Sequence, residues 1–401
     1  MITIEEALEI VLKETKVLGF ETVNILNSLN KVLAEDIYSK DNLPPFDKSA
    51  MDGYAIISDD TENASEEKPV KLKIKGTIKA GDFYKGQLKC GEALKIMTGA
   101  PVPNGADAVI QIENVEADNE EVAIFNPVEK NKNILNLGEE IKKGDIALLS
   151  GMTIRPSEIG LMASLGFSSA KVFKVPKMIV ITTGDELIDV SEELISGKIR
   201  DCNGYSLMAL GKNLQADVKF YGIVRDDMDV LFKKMQEAFE EGDIIITSGG
   251  VSAGDYDFVE NCLKELGADI KFSSVAIKPG KPFTFAKYKD KLFFGLPGNP
   301  LAVINTFEQF VSPAAKKMMG KSDIHNKQFK VILGEDFKSV KGRTNYVYVN
   351  IEEKDGIYYA YKVGSQSSNQ LLTISKANGI IILDKEMVKA GEEVNGRFIF
   401  K

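Results

Sequence analysis

The sequence predicts a multidomain α/β protein: a doubly wound, mostly parallel sheet domain joined to a helical N-terminal domain, an inserted β module and a C-terminal β domain. Three observations predict it. From Pro176 to about Lys321, short apolar runs alternate with helical patterns: "KMIVITTGDEL", "ADVKFYGIVRDD", "DIIITSGGVSAGDYDFVENCLKELG" and "KLFFGLPGNPLAVINTFEQFV". Such alternation implies right-handed βαβ crossovers and a parallel sheet. From Val70 to Leu149, short alternating strands are broken by glycine, as in a small all-β module. The stretch beyond about residue 324 is again strand-rich.

Taken in order, residues 3–18 and about 22–36 carry apolar positions three and four apart and read as helices. "DNLPPFDKSAMDGYAI" (Asp41 to Ile56) holds two prolines, which forbid a helix there. "SEIGLMASLGFSSAKVF" (Ser157 to Phe173) returns to helical spacing. It is expected to pack against the first helices, which makes the β module an insertion. The expected units are 1–44 with 143–176 (elongated helical), 45–142 (β module), 177–323 (doubly wound α/β) and 324–401 (C-terminal β).

Composition excludes several function classes. The net charge is −9 with the signs mixed and no basic stripe, so nucleic acid is not an expected partner. Cys90, Cys202 and Cys262 lie far apart and make no disulfide framework, which suits a reducing cytoplasm. No apolar run reaches membrane-spanning length, and the N-terminus has acids where a signal peptide needs bases. His325 is the one histidine. Chemistry must therefore rest on carboxylates, lysines, arginines, hydroxyls, backbone amides or a metal.

In a parallel sheet, ligands sit at the carboxyl ends of the strands. That puts "TTGDEL" (Asp185, Glu186), "RDD" (Asp226, Asp227), "TSGGVSAGDYDF" and "LPGNP" (Pro297, Gly298) on one rim. Gly249 and Gly250 let the backbone approach a ligand, and successive amides form a nest for an anion. Ser248 and Ser252 add hydroxyls. Asp255 and Asp257 would repel a bare phosphate, but Mg²⁺ between carboxylate and phosphate removes the conflict. The same stretch also reads as a capped turn before a surface helix. Asp185 and the RDD acids also read as helix caps. Lys278 and Lys281 around a Pro-Gly turn suit an oxyanion; they also read as a solvated turn.

"PPFDKSAMDGYA", "IMTGAPVPNGADAV", "TTGDEL", "TSGGVSAGDYDF", "AIKPGKPF" and "GLPGNP" occur in the order seen in molybdopterin molybdenumtransferases, the MoeA family, which includes the E domain of gephyrin. The resemblance spans nearly the whole chain. It implies Mg²⁺-dependent insertion of molybdate into adenylylated molybdopterin with release of AMP. It also implies a four-domain homodimer whose cleft is completed by the partner's β module. By resemblance Asp52, Glu186, Asp226 and Asp257 are catalytic, and Asp257, Glu186, Asp226 and Glu140 hold the metal. Thr98, Ser248, Gly249, Gly250, Ser252, Pro297 and Gly298 meet the substrate; Lys278, Lys281, Arg343 and Ser368 resemble the group that holds molybdate. Glu140 stands where the family usually has aspartate, and Lys48 where asparagine is commoner. Rival expectations are adenylyltransfer to molybdopterin, a tungsten-inserting variant and a gephyrin-like scaffold. Further expected partners are the upstream adenylyltransferase and downstream molybdoenzyme maturation proteins.

Overall fold

The computed structural model describes residues 1–250, 258–364 and 370–399. Helix α1 (Ile4–Glu14) starts at a capping box: Thr3 Oγ1 accepts from the Glu6 amide, and the Glu6 carboxylate accepts from the Thr3 amide. Its apolar stripe meets no second N-terminal helix. Ile4, Ala7 and Val11 share a core with Val275, Phe310, Ala314 and Met318 of the α/β region.

The helix expected over about 22–36 is not formed. Strand β1 (Phe20–Asn24) pairs antiparallel with residues 169–173. One 3-10 turn (Ile25–Ser28), capped by Asn24, then runs into Asn30 at φ 62°. A left-handed residue ends any right-handed helix, and β-branched Thr22 and Val23 favour the strand.

The β module is a six-stranded sheet of β2 (Gly53–Ile56), β3 (Val70–Ile78), β4 (Glu92–Ile96), β5 (Ala108–Gln111), β6 (Val115–Ala117) and β7 (Glu121–Ile124), in spatial order β5-β2-β4-β3-β7-β6. Beyond it, α2 (Pro156–Ser164) is shorter than the spacing suggested, because residues 169–173 form β8 (Ser169–Phe173) against β1. Met162 of α2 packs with Leu33, Ile37, Leu148 and Val172, far from α1 in its contacts. The expected helical N-terminal domain is thus one helix among short strands, and α1 serves another core.

The central sheet contains β9 (Lys177–Thr183), β10 (Asp217–Val224), β11 (Ile244–Ser248), β12 (Asp269–Ser274), β13 (Pro282–Tyr288) and β14 (Lys291–Leu296). The order is β10-β9-β11-β14-β13-β12; the first four are parallel and the last two join antiparallel. Side-chain alternation sorts the two faces. Met178, Val180, Ile244 and Ile246 face the core built with α3 (Asn203–Asn213), α6 (Pro300–Thr306) and α7 (Ser312–Met318). Ile179, Ile181 and Ile245 face α4 (Met228–Glu241) and α5 (Phe258–Leu266).

The C-terminal strands β15 (Phe329–Leu333), β16 (Thr344–Lys354), β17 (Ile357–Lys362), β18 (Gly379–Leu383) and β19 (Glu393–Phe398) close a ring, β16-β17-β15-β19-β18 and back to β16. Closure gives each of the five strands a neighbour on both sides. The short α8 (Leu371–Lys376) packs Ile374 into the main core. Two residues from the central region, Ile277 and Lys278, pair in parallel with Thr344 and Asn345 of the ring. Among the described residues no helix is long and apolar enough to cross a membrane.

Candidate active site

The carboxyl ends of β9, β11 and β14 lie in register, with Thr182 opposite Ser248 and Ser248 opposite Leu296. The turns leaving these strands therefore crowd together. Gly249 and Gly250 have φ of 94° and 66°. A Cβ on Gly249 would lie 2.4 Å from the Thr183 carbonyl oxygen, so no other residue fits. The Gly249 amide donates to Leu296 O at 3.2 Å. That amide is therefore committed to the neighbouring strand and is not available to the expected nest. Among the described residues, Thr183 Oγ1, beside both glycines, is buried without a hydrogen-bond partner. A buried hydroxyl left unpaired is costly and marks a place for a ligand or water.

Glu186, Asp226, Ser248, Gly249, Gly250 and Gly298 line one cavity of about 760 Å³. Asp185 and Asp226 hold each other: Asp185 Oδ1 accepts the Asp226 amide at 3.3 Å, and Asp226 Oδ2 accepts the Asp185 amide at 3.4 Å. Asp185 caps no helix, since Leu187–Ile188 is extended. Asp227 caps α4 through the Val230 amide at 3.0 Å, which leaves the capping role to it and the cavity to Asp226.

Lys278, Lys281 and Arg343 line a second cavity of about 730 Å³, with Lys338, Lys362 and, among the described residues, one acid, Asp336. The strand pairing explains the meeting: Ile277 lies opposite Thr344, so Lys278 is brought to the turn that carries Arg343. Asp336 is engaged by Lys389 at 2.8 Å, and Lys362 by Glu335 at 3.1 Å. The two cavities share Pro282, Pro297 and Asn299, so they are halves of one cleft, cationic at one end and acidic at the other. Each half has the volume of a small-molecule site.

Asp52, Thr98 and Glu140 line neither half. Asp52 Oδ1 accepts from the Thr98 amide at 2.6 Å and from Thr98 Oγ1 at 2.7 Å. These bonds hold the Asp52 carboxyl below its ordinary value, the backbone bond most strongly. Glu140 is exposed, its amide bound to Leu43 O at 3.0 Å. Asp257, Asp255, Ser252 and Ser368 lie outside the described residues. Among the described residues no three His, Cys, Asp or Glu side chains cluster to hold a metal.

Sequence reasoning missed Thr183, Arg200 and Asn203, which also line the acidic half, and Lys338 in the cationic half. Only "IRDCNGY", a polar run ending on a helix start, offered a signal.

Three family models cover most of the chain: the MoeA N-terminal region (domains I and II) over residues 2–166, a probable molybdopterin binding domain over 179–317, and the MoeA C-terminal region (domain IV) over 330–396. Relatives called molybdopterin molybdenumtransferase occur in Staphylococcus aureus (37% identical, covering 98% of this chain and 94% of that one). Another is from Haemophilus influenzae (36% identical, 93% and 92% covered). The crystal structure of a molybdopterin biosynthesis MoeA protein from Pyrococcus horikosii superposes with a TM-score of 0.85 at 33% identity, covering 99% of each chain. The fold, the motif-bearing cleft and these likenesses agree: the chain belongs to the MoeA family of molybdopterin molybdenumtransferases, enzymes of molybdenum cofactor biosynthesis.

Proposed function

We propose that this chain inserts molybdate into adenylylated molybdopterin, releasing AMP and molybdenum cofactor, and that it does so in the cytoplasm. The observation that carries the reading is the cleft with unlike ends. Lys278, Lys281 and Arg343 suit a tetrahedral dianion, and the cationic half is larger than such an ion needs, leaving room for the pterin's reacting end. Glu186, Asp226 and the glycine turn suit the phosphate end. Holding both substrates in adjoining halves converts a bimolecular step into a local one.

Glu186 and Asp226 fit Mg²⁺ in kind, being hard oxygen donors of the number that the ion takes beside substrate phosphates. Asp257 joins the proposed set from this chain, and Glu140, which lines neither half of its own cleft, joins it from the partner's β module. When bound, the ion offsets charge developing on the departing phosphate. The protein's own part is to orient the phosphate at the glycine turn and to hold the oxyanion among lysines.

A homodimer is part of the proposal. Asp52 and Thr98, fixed to each other but away from their own cleft, are offered to the partner's cleft. The four units 1–44 with 143–176, 45–142, 177–323 and 324–401 are likewise our division, with α1 lent to the core of the third unit, as are the doubly wound description and the protein partners in adjoining steps. The test is to incubate purified protein with adenylylated molybdopterin, molybdate and Mg²⁺ and assay AMP. Release that needs both oxyanion and Mg²⁺ supports the reading. Mg-ATP turnover with bare molybdopterin, or no release at all, defeats it.

A further inference from the structure

We propose that Asn203 is a positioning residue for the phosphate end of the cleft, clamping the glycine turn after β11 to the Pro-Gly turn after β14. The inference rests on the reading above for the identity of the substrate, though not for the clamp itself. Asn203 begins α3 and is 9% exposed. Its Nδ2 donates to Ser248 Oγ at 3.0 Å and to Gly298 O at 2.7 Å. Ser248 Oγ in turn donates to Pro297 O at 3.2 Å. The Gly298 carbonyl can only accept, which fixes the orientation of the Asn203 amide.

Two residues earlier, buried Asp201 ties the same segment to the third strand. Its carboxylate accepts from Thr182 Oγ1 at 2.8 Å and from the Gly204 amide at 2.9 Å. The short run Asp201–Asn203 thus sutures the carboxyl ends of β9, β11 and β14. Asparagine is the residue for the task. It presents two donors on one short planar group, aspartate presents none, and glutamine would overshoot by a methylene. Without the amide, the Gly298 carbonyl and Ser248 hydroxyl lose a buried partner. The glycine turn, held otherwise among the described residues by the Gly249 amide on Leu296 O, then shifts from the geometry the phosphate requires. The molybdate recess shares only Pro297 with this network, and its Lys278 is placed by the Ile277–Lys278 pairing to the C-terminal ring.

The experiment compares wild type with Asn203→Ala, Asn203→Asp and Asn203→Ser. Two readouts are taken: hydrogen exchange of segments 244–250 and 295–300, and AMP release against each substrate. In Asn203→Ala those segments exchange about tenfold faster, matching the loss of one or two neutral hydrogen bonds, while β9 and α4 are unchanged. The KM for adenylylated molybdopterin rises about tenfold and the molybdate requirement stays put. Asn203→Asp is at least as impaired, and Asn203→Ser, with one donor, falls between and serves where the alanine variant does not fold. Wild-type exchange and KM in a folded alanine or serine variant overturn the clamp, as does a loosening spread evenly over the molecule. If wild type itself releases no AMP, the transferase reading falls, and the exchange data alone decide on Asn203.

Discussion

Arg397→Met should cost this protein more stability than any single change at its surface. Arg397 on β19 pairs with Glu308, in the π-helical turn Phe307–Val311 that joins α6 to α7; the two side chains are 6% and 11% exposed. Methionine roughly keeps the volume but strands the Glu308 carboxylate. Removing one partner of a buried pair costs about 3–5 kcal/mol, whereas replacing both with apolar groups is close to neutral. At 2–4 °C per kcal/mol for a domain of this size, the melting temperature should fall by about 6–20 °C. Glu308→Leu combined with Arg397→Met should recover most of it. Calorimetry on the three proteins is the assay. The pair also joins the C-terminal ring to the helix that starts beside the cleft, so Arg397→Met should raise the molybdate requirement as well. A single variant melting within about 2 °C of wild type, or a double variant no better than the single, refutes the reasoning.

Other outcomes follow from the same structure. Glu14, hydrogen-bonded first by Lys287 and then by Lys271, has its carboxyl held down to about 2 from an ordinary 4.5. Because the folded value is the lower one, this stabilisation is complete above about pH 4.5 and drains away as pH falls toward 2. Glu14→Gln should flatten that part of the acid limb in urea titrations and cost about 1 kcal/mol at neutral pH after solvent screening; an unaltered limb contradicts it. Gly249→Ala meets the Thr183 carbonyl at a positive φ. It should lose about 1–3 kcal/mol, seen in urea midpoints, and AMP release with it; a variant of normal stability speaks against the turn as described. Lys278→Ala should raise the molybdate needed for half-maximal AMP release about tenfold, and an unshifted curve removes Lys278 from the recess. Mixing Asp52→Ala with Asp226→Asn subunits should restore about a quarter of wild-type activity, since half of randomly paired C2 dimers carry one intact site. No recovery on mixing argues against sharing between subunits.

Much of the α/β region was legible because its strands are buried on both faces. Runs such as Met178–Ile181 and Ile244–Ile246 admit no other reading once helices follow them, and the rim motifs then fall at the strand ends. The N-terminal region misled because apolar residues at 22–36 satisfy a helical period by composition alone. What decides there is pairing with residues 169–173, distant in sequence, and a left-handed Asn30. The same limit hid Asn203. An asparagine at a helix start reads as a cap, and nothing local reveals that its amide reaches residues 248 and 298. Glycine 249 was correctly singled out for its backbone, but the carbonyl that claims its amide belongs to a strand almost fifty residues later. Asp185 looked like a cap because caps are local; its partner Asp226 comes from a neighbouring strand.

The two-residue ladder between Ile277–Lys278 and Thr344–Asn345 has a mechanical side. It makes the ring's edge a shared possession of two structural units, like a seam sewn through both cloths. Separating the units to widen the cationic recess would mean unpicking backbone bonds rather than turning a hinge. Deleting the C-terminal ring would take from Lys278 both its strand partner and its cationic neighbour Arg343.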